Sequence, residues 1–304
     1  MRILFVTATR IGDAVLSTGL LGHLLRAHPG ARVTVACGPA AAGVFARLPG
    51  LERLIVVEKK PLSLHWLKLW WQVAFMRWDL VVDLRASAIA FLVPARRRAV
   101  GKGGRRPGHR LTHIGETLGL SPPPLPVAWT APEDEARAAS LLPGGPWLLL
   151  GPTANWAQKV WPADRFVAVA RALTAPGGAL AGARIAVLGG PGAMERDMAA
   201  PVLAAFPGAV DLVGKLTLPE VAAAMRRGAL FIGNDSGLMH LAGAAGAPVI
   251  GLFAQSDARE YGPSGPRAIA VSADGEPFTS PMTAVPVERV IAAAETLLGA
   301  KVVA

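Results

Sequence analysis

ALFIGNDSGLMHLAGAAGAPVIGLF, residues 229–253, reads as strand, turn, helix, turn and strand in one continuous run. The apolar run that opens it is strand-sized and ends at Asn234-Asp235-Ser236-Gly237, residue types that favour turns and helix starts. LMHLAGAAG (238–246) is a small-residue helix closed by glycine, and PVIGLF (248–253) is the next strand. Strands this apolar, without polar alternation, are covered on both faces. Joined through helices, they make a parallel sheet.

The same rhythm extends in both directions. Upstream, WLLLGP (147–152) and RIAVLGGPG (184–192) are strands. WPADRFVAVARAL (161–173) is an amphipathic helix with Pro162 in its first turn. Leu216 to Arg227 is a helix with Thr217 as N-cap and Glu220 three residues on, a capping box. The first half repeats the pattern: strands at 2–8, 32–37, 54–57 and 79–84 alternate with helices over 13–27, 39–47 and 63–77. The last of these is rich in tryptophan, with Trp66, Trp70 and Trp71 expected close to one face. SPPPLPVAWTAP (121–132), with five prolines, is a stiff extended connector. The expectation is therefore an α/β chain of two Rossmann-like domains, residues 1–130 and 131–285. A closing helix, 286–304, is expected to pack back toward the first domain.

Of 304 residues, 52% are hydrophobic and 17% charged, a core-rich globular composition long enough for about two domains. No run is long enough for a membrane-spanning helix, and MRILFVTATRIGDAV is read as a first strand, not a leader. The single Cys37 excludes an internal disulfide and fits a reducing, cytoplasmic setting. The net charge is +10, and RRRAVGKGGRRPGHR (96–110) carries seven Lys/Arg and no acid. Arg96, Arg97, Arg98, Lys102, Arg105 and Arg106, with Arg10 elsewhere, are candidates to face an anionic acceptor or a membrane surface; a plain solvated loop is the other reading. Nothing resembling a nucleic-acid-binding motif accompanies the charge, so no nucleic-acid partner is expected.

Three stretches could carry chemistry. Gly12 and Asp13 follow the first strand, where doubly wound sheets bind ligands; Asp13 is placed for a general base, or simply caps its helix. Thr153 and Lys159 lie between a strand and a helix start, suited to a phosphate. Asn234, Asp235, Ser236 and Gly237 open a helix whose free N–H groups make an anion pocket, with Asp235 suited to sugar hydroxyls and His240 one turn on. Glu195 could meet ribose hydroxyls or be a surface residue. There is no D-x-D, no metal-spaced His/Cys cluster, no P-loop, no G-x-S-x-G and no dinucleotide fingerprint. Neither a metal nor a tightly bound cofactor is expected, and an NAD-dependent epimerase or dehydrogenase lacks its motif.

GDAVLSTGLL (12–21) after the first strand, Lys159-Val160-Trp161-Pro162, and GKLTLPEVAAAMRRGALFIGNDSGLMHLAGAAGAPVIGLF (214–253) together resemble glycosyltransferase family nine, the bacterial heptosyltransferases of lipopolysaccharide core synthesis. Residues 54–130 match only loosely. Thr7 stands where relatives often carry a basic residue, and AQSDAREYGP (254–263) departs from the commoner GPTDP-like loop. The resemblance implies a GT-B fold, its two sheets facing across a cleft, and inverting, metal-independent transfer of heptose from ADP-heptose to a Kdo or heptose hydroxyl at the inner membrane. It implies Asp13 as general base, Lys159 on the donor diphosphate, Asp235, Ser236 and Gly237 as the sugar-phosphate pocket, and the backbone of Leu216 beside adenine. Another nucleotide sugar or glycan acceptor, or a non-catalytic nucleotide-sugar-binding protein, remains the alternative.

Overall fold

β1 (Arg2–Val6) places Ile3, Leu4 and Phe5 wholly out of solvent, as an apolar run in a doubly covered sheet must be. The computed structural model describes residues 1–59, 61–104 and 106–299, and the chain divides into two compact units, Met1–Trp129 and the residues from Thr130 onward.

In the first unit β1 is followed by α1 (Ile11–Ala27), β2 (Arg32–Cys37), β3 (Leu51–Val56), α2 (Leu64–Val73), β4 (Trp78–Asp83), α3 (Ile89–Leu92), β5 (Ala95–Val100) and α4 (Arg110–Glu116). The five strands are parallel in the order β3-β2-β1-β4-β5. The helix expected over 39–47 is a 3₁₀ helix over Pro39–Phe45. β5 is the larger surprise. Ala-Arg-Arg-Arg-Ala-Val has no apolar pattern, and its charge alone suggests a solvated loop. It becomes a strand by pairing with the backbone of β4, and as an edge strand it tolerates charge that blocks pairing with another chain.

The second unit contains α5 (Pro132–Leu141), β6 (Trp147–Gly151), α6 (Ala163–Thr174), β7 (Arg184–Val187), α7 (Ala193–Ala205), β8 (Val210–Asp211), α8 (Leu218–Arg227), β9 (Leu230–Asn234), α9 (Gly237–Ala244), β10 (Val249–Phe253), α10 (Ala258–Tyr261), β11 (Ala268–Ser272) and α11 (Val287–Gly299). Its six parallel strands run β11-β10-β9-β6-β7-β8. Thr217 caps α8 with Glu220 accepting from its N–H and hydroxyl, both at 2.8 Å. α9 packs so closely that a Cβ on Gly243 would lie 2.4 Å from the Ser264 carbonyl. This accounts for the small-residue composition of that helix. α11 buries Val290, Ala294 and Leu297 in the core that includes β10, β11 and α6 of its own unit. No helix among the described residues is long and apolar enough to cross a membrane.

Candidate functional site

Each sheet changes direction once. β2 lies on one side of β1 and β4 on the other; β7 lies on one side of β6 and β9 on the other. Loops leaving the carboxyl ends of such a strand pair diverge, and ligands of doubly wound sheets bind in the opening.

At the first switch point, β1 leads through Thr7 and Thr9 to Arg10, which occupies the N-cap of α1 with no side-chain cap bond. Asp13 is therefore the third residue of the helix and not its cap, which corrects that reading; Gly12 lies beside it, half-buried. The Asp13 carboxylate faces the guanidinium of Arg110, at the start of α4, with Nε–Oδ1 3.5 Å. In the sequence Arg110 is only one of a run of cations; the packing of α4 on α1 gives it this partner. A cavity of about 350 Å³ opens at the carboxyl ends of β1 to β4, with Thr7, Thr9, Lys59, Trp66 and Arg85 among its walls. Cys37 also lines it, but burial pushes that thiol up to about 12, so it is an inert hydrophobe.

Asp83 ends β4 in register with Val6 and is fully buried. It accepts the N–H of Arg85 (2.8 Å) and both the N–H (3.0 Å) and hydroxyl (2.5 Å) of Ser87. This turn sets the Arg85 guanidinium 5.9 Å from the Trp66 ring centre at the cavity wall. Burial raises the Asp83 carboxyl above its ordinary range, against the opposing pull of Ser87 and Arg85. Because the native state then holds its proton more tightly than the unfolded chain, this group's contribution is fullest below the unfolded value near 3.8 and declines as pH rises through the folded one. Chemical denaturation from pH 4 to 7 should therefore show the stability difference between wild type and Asp83→Asn shrinking as pH rises. A difference that grows would contradict burial as the dominant cause.

At the second switch point, Lys159 Nζ meets Asp235 Oδ2 at 2.5 Å, the two side chains 20% and 9% exposed. Lys159 closes a short 3₁₀ turn after β6, and Asp235 follows β9. Asn234 places them. Fully buried, its Oδ1 accepts the Trp161 N–H (2.9 Å) and its Nδ2 donates to the Thr153 carbonyl (3.3 Å). Through these two bonds it pins the 153–161 loop. Trp161 locks the same loop from below by donating its indole N–H to the Val285 carbonyl and stacking edge-on against Phe166. Ser236 caps α9 through its backbone only, so the first N–H groups of the helix at Gly237 have no side-chain acceptor there. His240 is buried within α9.

Glu195 reaches back from the first turn of α7 to accept the Gly190 N–H at 2.8 Å, so it holds the glycine turn after β7. It is also near Thr153: a Cβ built on Gly189 would touch both side chains. Beyond this turn lies a second cavity, about 340 Å³, walled by residues 190–193, Arg196 and 213–215, with half-buried Leu216 next along the chain. The fold thus gathers Thr153, Lys159, Glu195, Asp235, Ser236 and Gly237 around the ends of β6, β7 and β9. Among the described residues no three His, Cys, Asp or Glu side chains assemble to hold a metal ion.

The basic candidates scatter. Arg98 donates to the carbonyls of Ala90, Val93 and Ala95, tying β5 to α3, and Arg106 pairs with Glu116 at 2.7 Å. Arg10, Arg96, Arg97 and Lys102 are exposed, Arg96 lying 3.7 Å from Asp79, and Arg105 lies outside the described residues.

Two Rossmann-like units, the second with a cation and open helix amides at its switch point, define the GT-B class of nucleotide-sugar-dependent fold. The chain belongs to glycosyltransferase family 9 (heptosyltransferase), whose model matches residues 111–282. It is 32% identical over 137 residues to lipopolysaccharide heptosyltransferase 3 of Escherichia coli; that match takes in 43% of this chain but spans only 37% of the relative's length. Among solved structures it is similar in fold to the family 9 glycosyl transferase of Veillonella parvula DSM 2008 (TM-score 0.79, 24% identity, 98% of this chain and 97% of that one). It is also similar to E. coli heptosyltransferase WaaC with ADP (TM-score 0.75, 18% identity, 98% and 100%).

Proposed function

We propose that this protein transfers heptose from ADP-heptose to a Kdo or heptose hydroxyl of a lipopolysaccharide core, with inversion and without a metal ion or cofactor. It would work in the cytoplasm on an acceptor held at the inner face of the inner membrane. The observation that carries the reading is the convergence of Lys159, Asp235 and the open amide end of α9 at one switch point. The choice of nucleotide is supported by the similarly folded WaaC, which was solved with ADP.

The chemistry follows from these groups. The Asp13 carboxylate takes the proton of the acceptor hydroxyl. The oxygen attacks the anomeric carbon, the bond from that carbon to the diphosphate oxygen breaks, and its electron pair leaves with the diphosphate. Lys159 and the α9 amides offset the charge growing there, in the place a metal takes in other transferases. Asp235, released from Lys159 as phosphate arrives, is free to accept from sugar hydroxyls.

A thermal-shift screen of ADP-, GDP-, UDP- and dTDP-sugars tests the donor. A ligand at 100 times its Kd stabilises by about 2.7 kcal/mol, a rise of several degrees. The rise is expected with ADP compounds alone; an equal response to all four, or to none, would end the ADP assignment.

A further inference from the structure

α2 has two apolar faces, and the core uses only one of them. Leu69 and Val73 are buried, with Trp66 and Trp70 partly buried beside them, against β1, β3 and β4. Leu64, Leu67 and Trp71, spaced by three and four, form a separate stripe pointing to solvent, and Phe75 extends it just past the helix end. Trp71 is 60% and Phe75 74% exposed. Trp66, Trp70 and Trp71, expected together on one face, are thus divided by the fold. The stripe is continuous with α3. The rings of Trp71 and Phe75 meet at a tilt with centroids 5.4 Å apart, Trp70 contacts both, and Trp70 donates its indole N–H to the Leu92 carbonyl at 2.9 Å. There Phe91 and Leu92 stand 67% and 58% exposed. Scattered exposed apolar residues are ordinary; a contiguous set of this kind marks an interaction surface.

The charges around it identify the partner. Every exposed charged residue from 64 to 98 is a cation: Lys68, Arg77, Arg85, Arg96 and Arg97, and Arg98, whose guanidinium is held by backbone carbonyls. The two acids of the stretch, Asp79 and Asp83, are half-buried and buried. Leucine and aromatic side chains between arginines and lysines match the boundary of an anionic bilayer, where apolar groups enter below the headgroups and cations meet the phosphates.

We propose that the stripe Leu64–Leu67–Trp71–Phe75, with Phe91 and Leu92, is a docking surface for an anionic lipid bilayer. It rests on the functional reading only for its purpose. The first turns of the same helix carry Trp66 to the cavity wall, so docking holds that cavity near lipid headgroups, where a lipid-anchored acceptor presents its sugars.

Co-sedimentation of the full chain with vesicles of phosphatidylcholine, with and without one-quarter phosphatidylglycerol, tests it. Binding is expected to the anionic vesicles only, and Trp71→Ser/Phe75→Ser should weaken it at least about tenfold, both side chains being exposed and the fold unaffected. Arg96→Gln/Arg97→Gln should weaken it further at low salt and little at 1 M, where the Debye length is about 3 Å. Failure to bind anionic vesicles, or equal binding by the serine variant, would overturn the proposal. So would sedimentation showing a wild-type dimer that the serine variant abolishes, since a second copy would then be the occupant. ADP affinity, measured alongside, reports separately on the second unit: its loss would sink the transfer reading and leave the membrane surface standing.

Discussion

Asp13→Ala is expected to lower turnover by about 10²–10⁴-fold, the usual contribution of a positioned general base, with ADP affinity unchanged. Inverting transfer forms no covalent sugar–enzyme intermediate, so one carboxylate carries the proton transfer. Asp13 is in the first turn of α1, beside the carboxyl end of β1, and half-buried with Arg110 3.5 Å away. Asp13→Asn keeps the shape and removes the base, so it should fall nearly as far as alanine. Turnover by either variant within tenfold of wild type would rule out Asp13 as the base. The nucleotide control matters because the proposed donor contacts lie in the second unit; a joint loss of turnover and ADP binding would point to misfolding instead.

Lys159→Ala should weaken ADP binding about 10–100-fold by calorimetry, the range expected for charge-assisted hydrogen bonds worth about 1.5–3 kcal/mol. The loss has two sources. The diphosphate loses its cation, and Asp235, 9% exposed and no longer paired, becomes a buried negative charge that repels phosphate. Lys159→Ala/Asp235→Asn separates them: removing the second charge should recover part of the affinity. Lys159→Arg keeps the charge but not the compact ammonium, and should fall between wild type and alanine. ADP affinity unchanged in Lys159→Ala would remove this residue from the site.

Much of this architecture is readable along the chain. Apolar runs such as 147–151 and 249–253, bounded by turn residues, can only be interior strands, and helical spacing between them implies parallel order. The α8 cap is readable because a capping box is local: Thr217 and Glu220 are three residues apart and meet whenever that turn forms. α7 is not legible as a helix because Pro201 interrupts its pattern, and β8 has only two residues. β5 is hidden because its cause is the neighbouring strand and not its own side chains.

The site divides along the same line. The turn after β9 and Lys159 can be singled out from residue type and position next to a strand. That Asn234 faces inward and ties the Lys159 loop cannot, because its partners Thr153 and Trp161 are far away in the chain. The sequence by itself determined two parallel sheets and the turns at their ends, since periodicity and turn chemistry act between near neighbours. Only the tertiary structure decided that Arg110 faces Asp13, that Lys159 is held by Asp235, and that Trp71 and Phe75 point outward while Leu69 and Val73 turn inward. Those outcomes depend on which distant surfaces pack together, and no local pattern specifies that.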